Sequence, residues 1–229
     1  MKRSLTQALG QEESGKKKRY LLNEKGDSWV DCFPLKPDLR PTKEQFDALW
    51  NTHPGEFGEV KIMGKPVKTP RWQQSYGQAY NFSGMLHDAL PVPETVQPYL
   101  DWANSLTEDY LKPYGDKKFN MALLNWYQDG NHNIGYHSDD ERQLVQNKNG
   151  DSIVFSISLG QQRELTLKPK KDSVGETVKV KMPNCSAVVM CGRCQKTHKH
   201  AVLKVAGEKG KKLGRRINLT FRIFSDVKK

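Results

Sequence analysis

The chain has 229 residues, 36% of them hydrophobic and 28% charged, and a formal net charge of +11. That length suits one domain around one core. No apolar run approaches the ~18 residues of a spanning helix and Met1 to Tyr20 lacks a signal-peptide centre, so a soluble, intracellular protein with no membrane partner is expected. The positive balance draws an anionic partner over long range, most simply nucleic acid, and says nothing about fold.

Residues 1 to 18 are polar, charged and aperiodic, and read as a disordered basic arm ahead of a single domain over residues 19 to 229. The run from Lys16 to Arg19 would be a nuclear address in a eukaryote or a tether to DNA. Pro41 and Thr42 open a helix, with Thr42 and Gln45 at capping-box spacing and Phe46, Leu49 and Trp50 as its apolar face. Val96, Leu100, Ala103, Leu106 and Tyr110 recur at helical spacing and predict a second, longer helix.

From Phe119 the period changes to two. Ile153, Phe155, Ile157 and Leu159 alternate with smaller residues, as do Leu165 with Leu167, and Val178 and Val180 with Met182. The fold class is α+β, mainly β with flanking helices: a sandwich or jelly-roll barrel with the helices on one sheet. Cys185, Cys191 and Cys194 with His198 would make a zinc set. The missing second pair, the remoteness of Cys32 and the strand-like Val188, Val189 and Met190 favour reduced, packed thiols instead.

His137 and Asp139 form a His-x-Asp pair, which on extended backbone puts imidazole and carboxylate on one side, able to chelate one metal. A third ligand is available from His200, which leads straight into apolar Ala201 and Val202, with His198 as the alternative. Two histidines and one carboxylate on one face suit non-haem iron, with open positions for substrate acid and O2. In the segment Arg216 to Phe224, alternation sends Ile217, Leu219, Phe221 and Ile223 to one face and Arg216, Asn218, Thr220 and Arg222 to the other. Two guanidiniums inside a barrel need anionic partners, which a dicarboxylate cosubstrate supplies at its two ends. Asn125 and Tyr127 share one face of the preceding strand, with an amide and a phenol suited to hydrogen-bond a carboxylate.

Asn125-x-Tyr127, His137-x-Asp139, the distal His200 and Arg216-x-Asn218-x-Thr220-x-Arg222 resemble, in the same order, the signature of the AlkB family of Fe(II)- and 2-oxoglutarate-dependent dioxygenases, over roughly residues 65 to 225. The resemblance implies a double-stranded β-helix core over about residues 117 to 225, with N-terminal helices and a nucleotide-recognition lid over about residues 65 to 90. It implies Fe(II) on His137, Asp139 and His200, and O2 as oxidant. It implies 2-oxoglutarate held by Asn125, Tyr127, Arg216 and Arg222, with Asn218 and Thr220 lining the same pocket. Pro70 to Gly77 and Tyr80 to Gly84 resemble the lid of the eukaryotic DNA-repair alkylation demethylases. On that resemblance Arg71, Tyr76, Tyr80 and Phe82 face substrate, Tyr80 and Phe82 stack a flipped base opposite His137, and Asp140 and Glu141 contact its exocyclic groups. Stacking at ~1–3 kcal/mol per base is what an extruded base requires.

The implied reaction is oxidative demethylation of bases such as 1-methyladenine and 3-methylcytosine in single- or double-stranded DNA by a monomer, with 2-oxoglutarate converted to succinate and CO2. RNA is the alternative substrate. An oxygenase of protein or small molecules, and a silent nucleic-acid-binding module, are the other readings. Two departures stand out: the distal histidine lies in Thr197-His198-Lys199-His200 with no aromatic residue before it, and the Lys- and Gly-rich stretch before Arg215 has no fixed counterpart.

Overall fold

The computed structural model describes residues 16–82 and 85–225. Two strands, β1 (Lys18–Leu21) and β2 (Ser28–Pro34), lead to helix α1 (Lys43–Trp50). Six short strands follow: β3 (Glu59–Ile62), β4 (Lys65–Lys68), β5 (Trp72–Tyr76), β6 (Tyr80–Phe82), β7 (Met85–His87) and β8 (Ala89–Leu90). Helix α2 (Gln97–Ser105) precedes β9 (Met121–Tyr127), β10 (Ile134–His137), β11 (Val154–Gly160), β12 (Arg163–Pro169), β13 (Val178–Met182) and β14 (Ser186–Gly192). The chain ends with α3 (Cys194–Thr197), β15 (His198–Val202), α4 (Gly207–Lys211) and β16 (Arg216–Arg222).

The strands form a large sheet in the order β1-β2-β14-β11-β16-β9-β5-β8, a small one in the order β10-β15-β12-β13, and the two-stranded pairs β3-β4 and β6-β7. Between them Val30, Val154, Val188 and Met190 of the large sheet meet Leu165, Leu167, Val180, Met182 and Val202 of the small one. The other face of the large sheet carries Phe155, Ile157, Leu159, Ile217, Leu219 and Phe221, packed under Leu49, Trp50, Leu100 and Trp102 of the helices. This is the expected jelly roll with helices on one sheet.

The capping box at α1 is present, with Gln45 N–H donating to Thr42 Oγ1 (3.3 Å) and Thr42 N–H to Gln45 Oε1 (2.9 Å). The expected longer helix breaks at Leu106, and Thr107–Leu111 continues as a wider π turn. Polar side chains cause the break. Ser105 Oγ and Thr107 Oγ1 donate back to the carbonyls of Trp102 and Asn104, and the Asn104 amide pairs with the backbone of Phe119. The π turn delivers the Tyr110 hydroxyl to Asp31 at 3.0 Å.

Of the arm expected over residues 1 to 18, residues 1–15 lie outside the described residues. Lys18 already begins β1, and Lys17 lies 3.5 Å from the Asp31 carboxylate. Asp31 is fully buried and takes two hydrogen bonds from Arg19, at 2.7 and 2.8 Å. The Lys- and Gly-rich stretch is held by glycine contact: Gly130 N–H donates to the Gly210 carbonyl at 2.9 Å, and a Cβ on Gly130 would meet Gly210 Cα at 2.6 Å.

Asp31 generates a prediction. Burial pushes its carboxyl pKa up, but the hydrogen bonds from Arg19 and Tyr110 outweigh this and leave it below the ordinary 3.8. A carboxylate depressed in the folded state contributes stability above the unfolded value, and that stability is lost as pH falls through the folded one. Asp31→Asn should cost about 2 kcal/mol near neutrality, less than the ~3–5 of a fully buried pair because Arg19 is half-exposed. The cost should shrink in acid. Urea midpoints across pH check this, and a midpoint unchanged at neutrality would contradict it.

Candidate metal centre and cosubstrate pocket

β10 and β15 pair so that His137 and His200 stand directly opposite one another, with ring centroids 4.2 Å apart. Asp139 follows two residues beyond His137. Its Oδ1 lies 3.7 Å from His137 Nε2 and its Oδ2 lies 3.8 Å from His200 Nε2. These gaps are too long for hydrogen bonds. His137 Nδ1 is 2.9 Å from the Gly135 carbonyl, which makes Nδ1 the protonated nitrogen and leaves the Nε2 lone pair facing Asp139. One ligand atom from each of the three residues lies within 4.8 Å of the others.

Burial, then the neighbouring His137, pushes His200 down to about 3, and burial likewise lowers His137. Both imidazoles are therefore neutral. Burial opposes ionisation of Asp139, yet the Arg222 guanidinium bonded to it holds its carboxyl well below the usual range. Asp139 Oδ2 is buried without a hydrogen-bond partner. Two neutral imidazoles and an ionised carboxylate around a shared gap fit a divalent cation of the 2-His-1-carboxylate type.

The triad lies on the wall of a cleft of about 730 Å³, including its open mouth, between the two sheets. That size suits a small molecule. Asn125, Tyr127, Asn218, Thr220 and Arg222 all line it, as the strand parity requires. Arg222 donates to Asp139 Oδ1 at 2.8 Å and lies 3.7 Å from Glu141. The chain itself thus supplies carboxylate partners for Arg222, beside the cleft that a dicarboxylate would enter.

Arg216 differs. It is fully buried, and its Nη2 donates to Asn218 Oδ1 (2.6 Å), Ser158 Oγ (2.8 Å) and Met182 Sδ (3.6 Å), all neutral. The guanidinium sits over the Tyr127 ring, and its Nε and Nη1 are unpartnered. Burial lowers its pKa to about 10.

On the substrate side the outcome is mixed. Arg71 lines the cleft and donates to Asn125 Oδ1 at 2.6 Å and to Gln73 Oε1 at 3.1 Å. Glu141 is buried on the same wall, and burial pushes it up to about 7. Asp140 is exposed and does not line the cleft, so the two acids are not a pair there. Tyr76 is a correction: it is buried in the helix-side core. The cause is parity along β5 and the residue before it: Arg71 and Gln73 face the cleft and Tyr76 shares the opposite face with Trp72. Trp72 is itself enclosed, stacked on His53 at 4.2 Å and flanked by Phe57 and His132. Tyr80 and Phe82 stand on the β6–β7 hairpin, and their side chains lie outside the described residues.

The four cysteines are free thiols, and His198 stands behind His200, its Nδ1 2.8 Å from Thr197 Oγ1. Sequence reasoning missed Ser158 and Met182, which cradle Arg216, and Gln195, which touches Asp139. Ser158 had a signal, as one of the smaller residues alternating with Phe155, Ile157 and Leu159, and Met182 had one as the end of the alternation from Val178 and Val180, whereas Gln195 had none.

A family model described as the 2OG-Fe(II) oxygenase superfamily matches residues 5–222. The DNA oxidative demethylase ALKBH2 of Homo sapiens is 32% identical over 177 residues, 73% of this chain and 62% of that protein. The alpha-ketoglutarate-dependent dioxygenase alkB homolog 3 of Mus musculus is 32% identical over 218 residues, 88% of this chain and 68% of that protein. The chain thus spans about two thirds or less of these relatives' length. A solved structure of OsALKBH1 shares the fold, with a TM-score of 0.51 and 18% identity over 85% of this chain and 96% of that one. The chain belongs to the 2OG-Fe(II) oxygenase superfamily and, within it, to the AlkB family, whose cofactors are Fe(II), 2-oxoglutarate and O2.

Proposed function

We propose that the chain removes N-alkyl groups from DNA bases by oxidation, with 2-oxoglutarate as cosubstrate. The observation that carries the reading is Arg216: a buried guanidinium without an anion, on β16 beside the cleft that holds the metal-ligand triad. A carboxylate delivered from solution resolves that charge through two parallel hydrogen bonds. Fe(II), when bound, supplies the reduction of O2 that couples decarboxylation of 2-oxoglutarate to hydroxylation of the alkyl carbon.

The chain's own residues bind, orient and exclude water. Arg216, with Ser158 and Asn218 beside it, anchors the distal carboxylate of 2-oxoglutarate, and Tyr127 lies under the same guanidinium. Asn125, Thr220 and Arg222 line the rest of its path to the triad. Arg71 and Glu141 stand on the wall of the same cleft, where Glu141 suits a base carrying the positive charge of 1-methyladenine or 3-methylcytosine. Tyr80 and Phe82, on the β6–β7 hairpin, are the aromatic residues assigned to the stacking. The net charge of +11 and the name of the human relative, a DNA oxidative demethylase, support nucleic acid as the polymer.

Two predictions follow from these roles. Protein incubated with Fe(II), ascorbate, 2-oxoglutarate and a single-stranded oligonucleotide carrying 1-methyladenine should remove one methylene mass, and Asp139→Ala should abolish the loss. Succinate without mass change would move the substrate to RNA or protein, and undiminished turnover by Asp139→Ala would remove the triad from the account. Arg216→Met should weaken 2-oxoglutarate binding about 100-fold, on the order of 3 kcal/mol for a charge-assisted pair. Without 2-oxoglutarate the same variant should melt at or above the wild-type temperature, because an unpaired buried cation has been replaced by an apolar side chain. Thermal shift with and without cosubstrate reads both, and a wild-type response from the variant would contradict the anchor.

A further inference from the structure

His137 and His200 are placed by sheet pairing, as direct cross-strand partners on β10 and β15. Asp139 has no such support, because β10 ends at His137 and residues 138 to 140 belong to no strand. A ligand on irregular backbone keeps its place only if other groups hold that backbone. Two bonds do so. The Asp139 N–H donates to Gln195 Oε1 at 3.0 Å, and Ser138 Oγ donates to the His198 carbonyl at 3.0 Å. Both acceptors lie on the segment that leads directly into His200. The loop carrying the carboxylate is thus stapled to the strand carrying the distal imidazole.

The anchoring segment is itself fixed. Gln195 is 4% exposed and its Nε2 donates to Met190 Sδ at 3.5 Å, so both ends of the amide are engaged. The Gln195 carbonyl accepts from Lys170 Nζ at 2.9 Å, and Arg193 N–H donates to the Asp27 carbonyl at 2.8 Å. Arg222 fixes the carboxylate from the other side through Oδ1. Packing alone would ask of residue 195 only volume; the bond to Asp139 asks for an acceptor at one atom.

We propose that Gln195, assisted by Ser138, is a positioning residue that holds the Asp139 carboxylate at ligand distance from the two imidazoles and so sets the affinity of the site for its metal. The inference rests on the reading of the triad as a metal centre. Partners of this kind typically govern about 10- to 100-fold in metal affinity.

The test uses the full chain and Co(II) alone as probe, titrated by its visible absorption, with the melting temperature of the metal-free protein measured alongside. Wild type, Gln195→Met, Ser138→Ala and Leu159→Ala are compared. Leu159 is fully buried in the helix-side core, away from the cleft, and controls for lost stability. Gln195→Met should bind Co(II) about 10-fold more weakly or worse, with an altered spectrum. Ser138→Ala should weaken it in the same direction, whereas Leu159→Ala should melt lower yet bind within about twofold of wild type, since it leaves every outer partner of the ligands in place. Gln195→Met binding as tightly as Leu159→Ala overturns the proposal. If Gln195→Met does not fold, Ser138→Ala decides, and an unchanged affinity there overturns it. A wild-type chain that takes up no Co(II) would instead remove the metal centre, and the proposal with it.

Discussion

A guanidinium cannot stay inside a protein without an anion or a dense set of acceptors, and β16 carries two of them on its inward face. The rest of the cleft is arranged around that constraint. Arg222 is answered from within the chain by Asp139, which ionises the metal-ligand carboxylate and aims one of its oxygens. Among the described residues Arg216 is answered by a serine, an asparagine, a thioether and the Tyr127 ring, which solvate the charge without neutralising it. The two arginines stand six residues apart on one strand, so the cleft has one satisfied end and one that calls for a ligand of opposite charge.

The metal ligands divide in the same way between what the sheet supplies and what it does not. Cross-strand pairing sets the two imidazoles face to face, and a backbone carbonyl chooses the tautomer of His137. Asp139 lies off the ladder and is held by side chains reaching across from β16 and from the turn before β15. Residues far apart in the chain thereby become one unit, each fixing the next.

The helix side shows why the large sheet can bear so polar an inner face. Its outer face is continuous aromatic and aliphatic core, closed by α1, α2 and the π turn, and Asp31 ties β1 and Tyr110 into that layer. A strand such as β16 therefore loses little by giving alternate positions to the cleft, because its other positions are fully committed to packing. The same rule of parity excludes Tyr76 from the substrate side while admitting Gln73 of β5 and Arg71 just before it.

Much of this was legible in the sequence. Period-two alternation in residues 216 to 224 placed every side chain of β16 on its correct face, and the capping box marked the start of α1 to the residue, because both are local consequences of backbone geometry. The His-x-Asp spacing and the downstream His200 identified the ligands for the same reason. What the sequence could not reveal were relations that depend on which strands meet: that Asp139 pairs with Arg222, that Glu141 lines the cleft while Asp140 does not, that Ser158 lies beside Arg216, and that Gln195 reaches the backbone of Asp139. Those were decided by the tertiary structure alone, since a hydrogen bond between residues 56 or 83 positions apart leaves no periodic trace in the chain.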